Sequence, residues 1–200
     1  MSNAPAAITE PEGVAGRVLT VALVIASLDT FYLSWRYLAL HAAWVTPGTG
    51  LCSWTDGIDC DQVLLTPQAR AFYVPNALLG FGFFFGCLLW WQWGKRRLDA
   101  RLRHHLVRTL AFWLVVATLF TLRFWQLLLG LSHLCPFCPW NHLMTWIALG
   151  ASLAVWRRTP RPSEPAPTAP LVGHVAVCVG QFVLWLALWR VALAAGALAP

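Results

Sequence analysis

Four of the six cysteines fall into two short-range pairs, each beside the end of a long apolar segment. Cys135 and Cys138 form a Cys-Pro-Phe-Cys motif followed by Pro139 and an apolar run. A Cys-x-x-Cys pair that opens a helix sets its sulfurs near unpaired amide donors and the positive end of the helix dipole, which favours the reactive thiolate. Pro139 fits there, because the amide it lacks would have had no partner in a first turn. Cys52 and Cys60 are separated by Ser-Trp-Thr-Asp-Gly-Ile-Asp in a polar stretch. Alone, that spacing reads as a loop staple. The Cys135 pair reads as redox chemistry, with a structural disulfide or half of a zinc site beside His133 and His142 as alternatives. No second Cys-x-x-Cys accompanies it, and no metal is assigned. Cys87 and Cys178 stand isolated inside apolar segments and read as small apolar fillers.

The elements that must position these sulfurs are membrane helices. Of the 200 residues, 58% are apolar and 11% charged, where soluble domains carry about a quarter charged residues. Five stretches, 18–44, 76–94, 108–131, 139–156 and 172–195, approach or exceed the roughly 20 residues that cross a hydrocarbon core. Of the thirteen tryptophans, Trp44, Trp93, Trp140 and Trp156 lie near segment ends, where amphipathic rings favour the interface.

The formal charge of +6 needs no nucleic-acid partner. Lys95, Arg96, Arg97, Arg101, Arg103 and Arg108 lie between segments two and three. Arg157, Arg158 and Arg161 follow segment four, and Arg17 precedes segment one. Arg70 alone lies on the other side. The positive-inside rule then predicts five spans with a cytoplasmic N-terminus and an external C-terminus. Both cysteine pairs emerge together on the external face, in or beside a loop at 45–75. Disulfides persist there, and one sulfur can attack another directly. A cleaved signal peptide is disfavoured, since segment one is longer than a typical h-region and only Arg17 supplies a charged flank.

Residues 1–16, rich in Ala, Pro, Gly and Glu, are expected to be a disordered cytoplasmic tail. Residues 17–156 form the four-helix core. The Pro-rich stretch within 157–171 reads as an extended cytoplasmic linker, and 172–200 as a fifth membrane helix. Asp29 in segment one is costly in a bilayer unless paired or neutral; it could serve proton uptake or contact Arg123. Arg36 sits shallower and could snorkel outward.

The chain resembles the vitamin K epoxide reductase family through residues 17–156. The pieces that carry the likeness are Cys52-Ser53, then Asp59-Cys60-Asp61-Gln62-Val63-Leu64, then Pro75-Asn76-Ala77-Leu78-Leu79-Gly80, and finally Cys135-Pro136-Phe137-Cys138 with His142. A spaced pair first and Cys-x-x-Cys later distinguishes this order from the other quinone-linked disulfide-generating membrane family, whose Cys-x-x-Cys lies in the first external loop. Thr66-Pro67 departs from the serine that many relatives place before an aromatic and a glycine.

The resemblance implies an all-α membrane protein, a four-helix transmembrane bundle around a quinone site, here with a fifth transmembrane helix. It implies a quinone of the ubiquinone or menaquinone type. Cys138 would face that quinone, Cys135 would exchange with Cys60, and Cys52 would take electrons from an external thioredoxin-fold protein. Asn76 and His142 would contact the quinone; the plain alternatives are a helix cap for Asn76 and an interfacial histidine for His142. Bacterial relatives often carry a fused thioredoxin-like domain after the fifth helix; none is read in this sequence, so the partner is expected in trans. The expected location is the inner cell membrane, multi-pass, with the cysteines on the periplasmic face. Two other functions remain in view: a disulfide-stapled membrane binding or assembly protein, and a reductase of a quinone epoxide.

Overall fold

The computed structural model describes residues 13–160 except 72 and 99, and scattered positions between 176 and 191. Four long helices, α1 (Gly13–His41), α3 (Asn76–Arg97), α4 (Ala100–Leu129) and α5 (Phe137–Arg158), alternate in direction. Between α1 and α3 lie a two-stranded hairpin, β1 (Ser53–Thr55) and β2 (Ile58–Asp59), then the short α2 (Cys60–Leu64). A 3-10 turn at Pro67–Ala69 and a second hairpin, β3 (Arg70–Ala71) and β4 (Val74–Pro75), complete the loop.

Among the described residues, three helices are long and apolar enough to cross a membrane: Gly13–His41, Asn76–Arg96 and Leu102–Leu129. The protein is a helical membrane protein. Helix α5 has the length, with 22 residues, but is less apolar. Most of the predicted fifth segment and of the Pro-rich linker lies outside the described residues; the segment's described positions, Val179, Val183 and Val191 among them, are helical and exposed. Helix α1 starts at Gly13, inside the predicted tail, whose residues 1–12 also lie outside them.

Hydroxyls within α1 are satisfied by the helix itself, as a bilayer demands. Ser27 donates to Leu23 O (2.7 Å), Thr30 to Ala26 O (2.6 Å) and Ser34 to Thr30 O (2.6 Å). Small residues let the backbones approach: Ala22 and Ala26 of α1 share one buried core with Ala148 and Ala151 of α5. Helix α1 packs against α3 and α5, and α5 against α4, whereas α3 and α4 touch each other little along their length. They meet at the basic end, where Leu106 lies so close to Gly94 that a Cβ there would overlap it. The gap between α3 and α4 opens toward the other end.

That other end carries a second core. Leu33, Tyr37 and Leu40 of α1 pack with Cys52, Cys60, Val63, Leu64, Val74, Leu78 and Cys135. The loop is thus a packed cap on the bundle. Apolar side chains such as Phe31, Trp35, Phe112 and Leu119 point outward, as lipid-facing positions do.

Candidate functional site

The cap is fastened to α1 by one ion pair. Arg36 Nε donates to Asp61 Oδ1 (2.7 Å) and its Nη2 to Oδ2 (2.6 Å), a bidentate fork. The same Nη2 donates to Thr46 O (3.1 Å) and Thr49 Oγ1 (2.8 Å), while the Gly48 amide donates to Asp61 Oδ2 (2.9 Å). Gly50 closes the site, since a Cβ there would stand 2.9 Å from Asp61 Oδ1 and 3.2 Å from Arg36 Nε. Burial alone would raise the Asp61 carboxyl, but the Arg36 hydrogen bonds and charge, with the Gly48 and Gly50 amides, hold it below its ordinary value of 3.8. Asp59 caps α2 by accepting from the Asp61 amide (2.9 Å), and it also accepts from the Ser53 hydroxyl.

Backbone bonds then join the two cysteine segments. Asp59 N donates to Leu134 O (3.1 Å) and Leu134 N to Gly57 O (2.9 Å), which stitches the first hairpin to the residue before Cys135. Cys52 and Cys60 form a disulfide with their Cα atoms 5.6 Å apart. Cys135 Sγ stands 2.9 Å from Cys60 Sγ. The Cys52, Cys60 and Cys135 sulfurs lie within 4.8 Å of one another, and all three residues are 0% exposed. Cys135 and Cys138 are thiols. The arrangement is one disulfide with a third sulfur at exchange distance beside it and a fourth sulfur behind that.

Cys138, the second residue of α5, lines a cavity of about 540 Å³ between α1, α3, α4, α5 and the cap. Its walls are largely apolar and aromatic, with Phe83, Phe84, Trp113, Phe120 and Phe124 among them, and the Thr66–Ala69 turn closes one side. Thr66-Pro67, the departure noted in the sequence, is therefore part of the cavity wall. Asn76 and His142 line the same space. Asn76 is the first residue of α3 and makes no side-chain cap. Its Nδ2 donates to Gln68 O (2.8 Å), which ties α3 to the loop, and its Oδ1 is buried without a partner among the described residues. His142 packs edge-on against Trp125, with ring centroids 6.2 Å apart, and neither ring nitrogen has a partner among the described residues. Buried polar atoms are normally paired, so unpaired ones in an aromatic-walled cavity mark a place for a flat ligand that carries oxygens. These residues fit a quinone ring.

All six site residues expected from sequence lie in this one region, four sulfurs in a chain and Asn76 with His142 around its inner end. Sequence reasoning missed the Arg36–Asp61 anchor, although Asp61 adjoins Cys60. Their partnership spans 25 residues and leaves no local pattern. It also missed Asn141, which lines the cavity one helical turn after Cys138. Arg123 does not pair with Asp29: its guanidinium reaches Gln126 at 3.4 Å, and Arg36 is committed to Asp61. Cys87 packs in the helix core, and Cys178 lies outside the described residues.

Comparison with curated proteins and with solved structures returns no match. The family model described as "Vitamin K epoxide reductase family" matches residues 17–153, a span that contains both cysteine pairs and nearly all of the four long helices. Membership makes the protein a membrane oxidoreductase whose chemistry is that of disulfides. The chain belongs to the vitamin K epoxide reductase family.

Proposed function

We propose that this protein passes electrons from external thioredoxin-fold thiols through Cys52 and Cys60, then Cys135 and Cys138, to a quinone, and so generates disulfide bonds in its partner. The observation that carries this reading is the 2.9 Å approach of Cys135 Sγ to Cys60 Sγ. A disulfide kept only as a staple needs no third sulfur at its edge. Thiol–disulfide exchange requires that sulfur.

The state in the structure, outer pair oxidised and inner pair reduced, is what an internal exchange leaves behind. Cys60 attacks Cys135 of an inner disulfide and Cys138 leaves with the bonding pair. Cys52 then attacks Cys60 and releases Cys135. Asn76 and His142 would hold the quinone, with His142 able to donate to its oxygen and the free Asn76 Oδ1 able to accept from a hydroxyl. Bound there, a quinone supplies the terminal acceptor for two electrons. The aromatic walls exclude water, which strengthens these polar contacts.

Cys52 is fully buried, so the turn at Leu51–Trp54 must lift before a partner thiol reaches it. The basic residues cluster at the bundle end opposite the cysteines. That supports a cytoplasmic N-terminus and cysteines on the outer face of the inner membrane.

The test is a substrate comparison on the purified protein. With a reduced thioredoxin-fold protein as donor, quinol should form in step with partner disulfide when a ubiquinone or menaquinone analogue is supplied. Turnover of a quinone epoxide with none of the quinone would replace this reading by epoxide reduction. Inertness toward both would leave a stapled structural protein.

A further inference from the structure

We propose that Asp29 exchanges the proton of Cys138, receiving it when this sulfur is oxidised and returning it when the sulfur is released; this rests on the relay reading above. Asp29 lies in the middle of α1, is 7% exposed, and neither carboxyl oxygen has a hydrogen-bond partner among the described residues. No cation pairs with it there, since the ion pair among those residues is Arg36–Asp61. A buried carboxyl kept without a cation inside a bilayer costs several kcal/mol when charged. Its placement answers to something other than stability.

Two observations point to the sulfur. Asp29 follows Ala26 by one helical turn, so it lies on the face of α1 whose Ala26 carbonyl meets α5 just beyond Cys138. Asn141 flanks Asp29, lines the cavity with Cys138, and follows it at a helical spacing that puts both on one face. Its amide donates to Ala26 O at 3.3 Å, which fixes α5 against the turn of α1 that presents Asp29. Among the described residues that line the cavity, the titratable groups are Cys138 and His142; Cys135 stands just before α5, and Cys87 of α3 packs in the helix core.

The balance closes. When Cys60 attacks Cys135, the Cys135–Cys138 bond breaks and its electron pair stays on Cys138. Asp29 gives that sulfur a proton and becomes a carboxylate. When two electrons later leave the inner pair for the quinone-class acceptor, the S–H bonds of Cys138 and Cys135 break and the Cys135–Cys138 bond re-forms; the Cys138 proton returns to Asp29, and the Cys135 proton together with one from water completes the quinol. Of the two protons lost by Cys52 and Cys60, one ends on Cys135 and one goes to water.

Infrared difference spectroscopy on purified, quinone-free protein, with the inner pair first oxidised and then reduced by a dithiol, reads this directly. A carboxylic-acid C=O band should be present in the oxidised state, fall on reduction, and be missing from Asp29→Asn. In the quinone assay Asp29→Asn should be slower by about 100-fold, the usual scale of proton-transfer catalysis, with Asp29→Glu recovering part of the rate. A slow Asp29→Asn without any Asp29 band in the wild-type spectrum would mean a structural role and overturn the proposal, as would an Asp29→Asn rate equal to wild type. If wild type reduces no quinone yet shows the band, the proton exchange stands and the quinone reading falls.

Discussion

Asp61 shows how much one side chain can hold in place. It is fully buried, and among the described residues it is the carboxylate that forms the ion pair with Arg36 while also accepting the Gly48 amide. Removing one partner of a buried pair strands the other, so Asp61→Ala should cost about 3–5 kcal/mol in a denaturant titration. Its charge also makes the cap acid-sensitive. Because the folded carboxyl sits below 3.8, its contribution is complete above that value and is lost as pH falls through the lower folded value. Tryptophan fluorescence during an acid titration should show that phase in wild type and lose it in Asp61→Asn. The sulfurs make a second residue-scale prediction. In Cys52→Ser combined with Cys138→Ser, Cys60 and Cys135 are left facing each other at 2.9 Å, and mild oxidation should join them. Mass spectrometry of the alkylated, unreduced protein should find that bond, and two alkylated thiols instead would contradict the geometry.

At the scale of elements, two contacts set the site. One is the backbone stitch between Leu134 and the first hairpin. Leu134→Pro deletes the amide that reaches Gly57 O, and losing such a bond costs roughly 1–3 kcal/mol, so the same oxidative joining should slow about tenfold or more. The other is the close crossing of α3 and α4 at Gly94. Gly94→Ala must push Leu106 aside, and overpacking of this kind costs about 1–3 kcal/mol, readable as a lowered Tm with the cap unchanged. The four long helices were legible in sequence because apolar runs and flanking basic residues are local signals. Their ends were less so: α1 begins at Gly13 and α5 at Phe137, each earlier than the apolar stretch suggests. The cap's inner structure was illegible, since the Arg36–Asp61 fork and the Leu134 stitch join residues far apart in the chain. The cysteine spacing announced a dithiol pair, but which sulfur meets which is decided by those distant contacts.

Taken whole, the molecule is a helical bundle with charge at one end and sulfur at the other. A thiol chain runs from a buried outer disulfide to an aromatic cavity open between α3 and α4. Asn76 and His142 were readable only through the family's motifs, because an Asn after a proline and a His in an apolar run carry little signal alone. Their significance in the structure is the buried polar atoms they leave unpaired. The central claim is that Cys138 is the last sulfur before the quinone. It is tested most directly by Cys138→Ser in purified protein, with quinone reduction followed against a reduced thioredoxin-fold donor. Turnover should fall to the uncatalysed background, because without Cys138 no inner disulfide can form to oxidise Cys52 and Cys60. Undiminished turnover in that variant would contradict the claim.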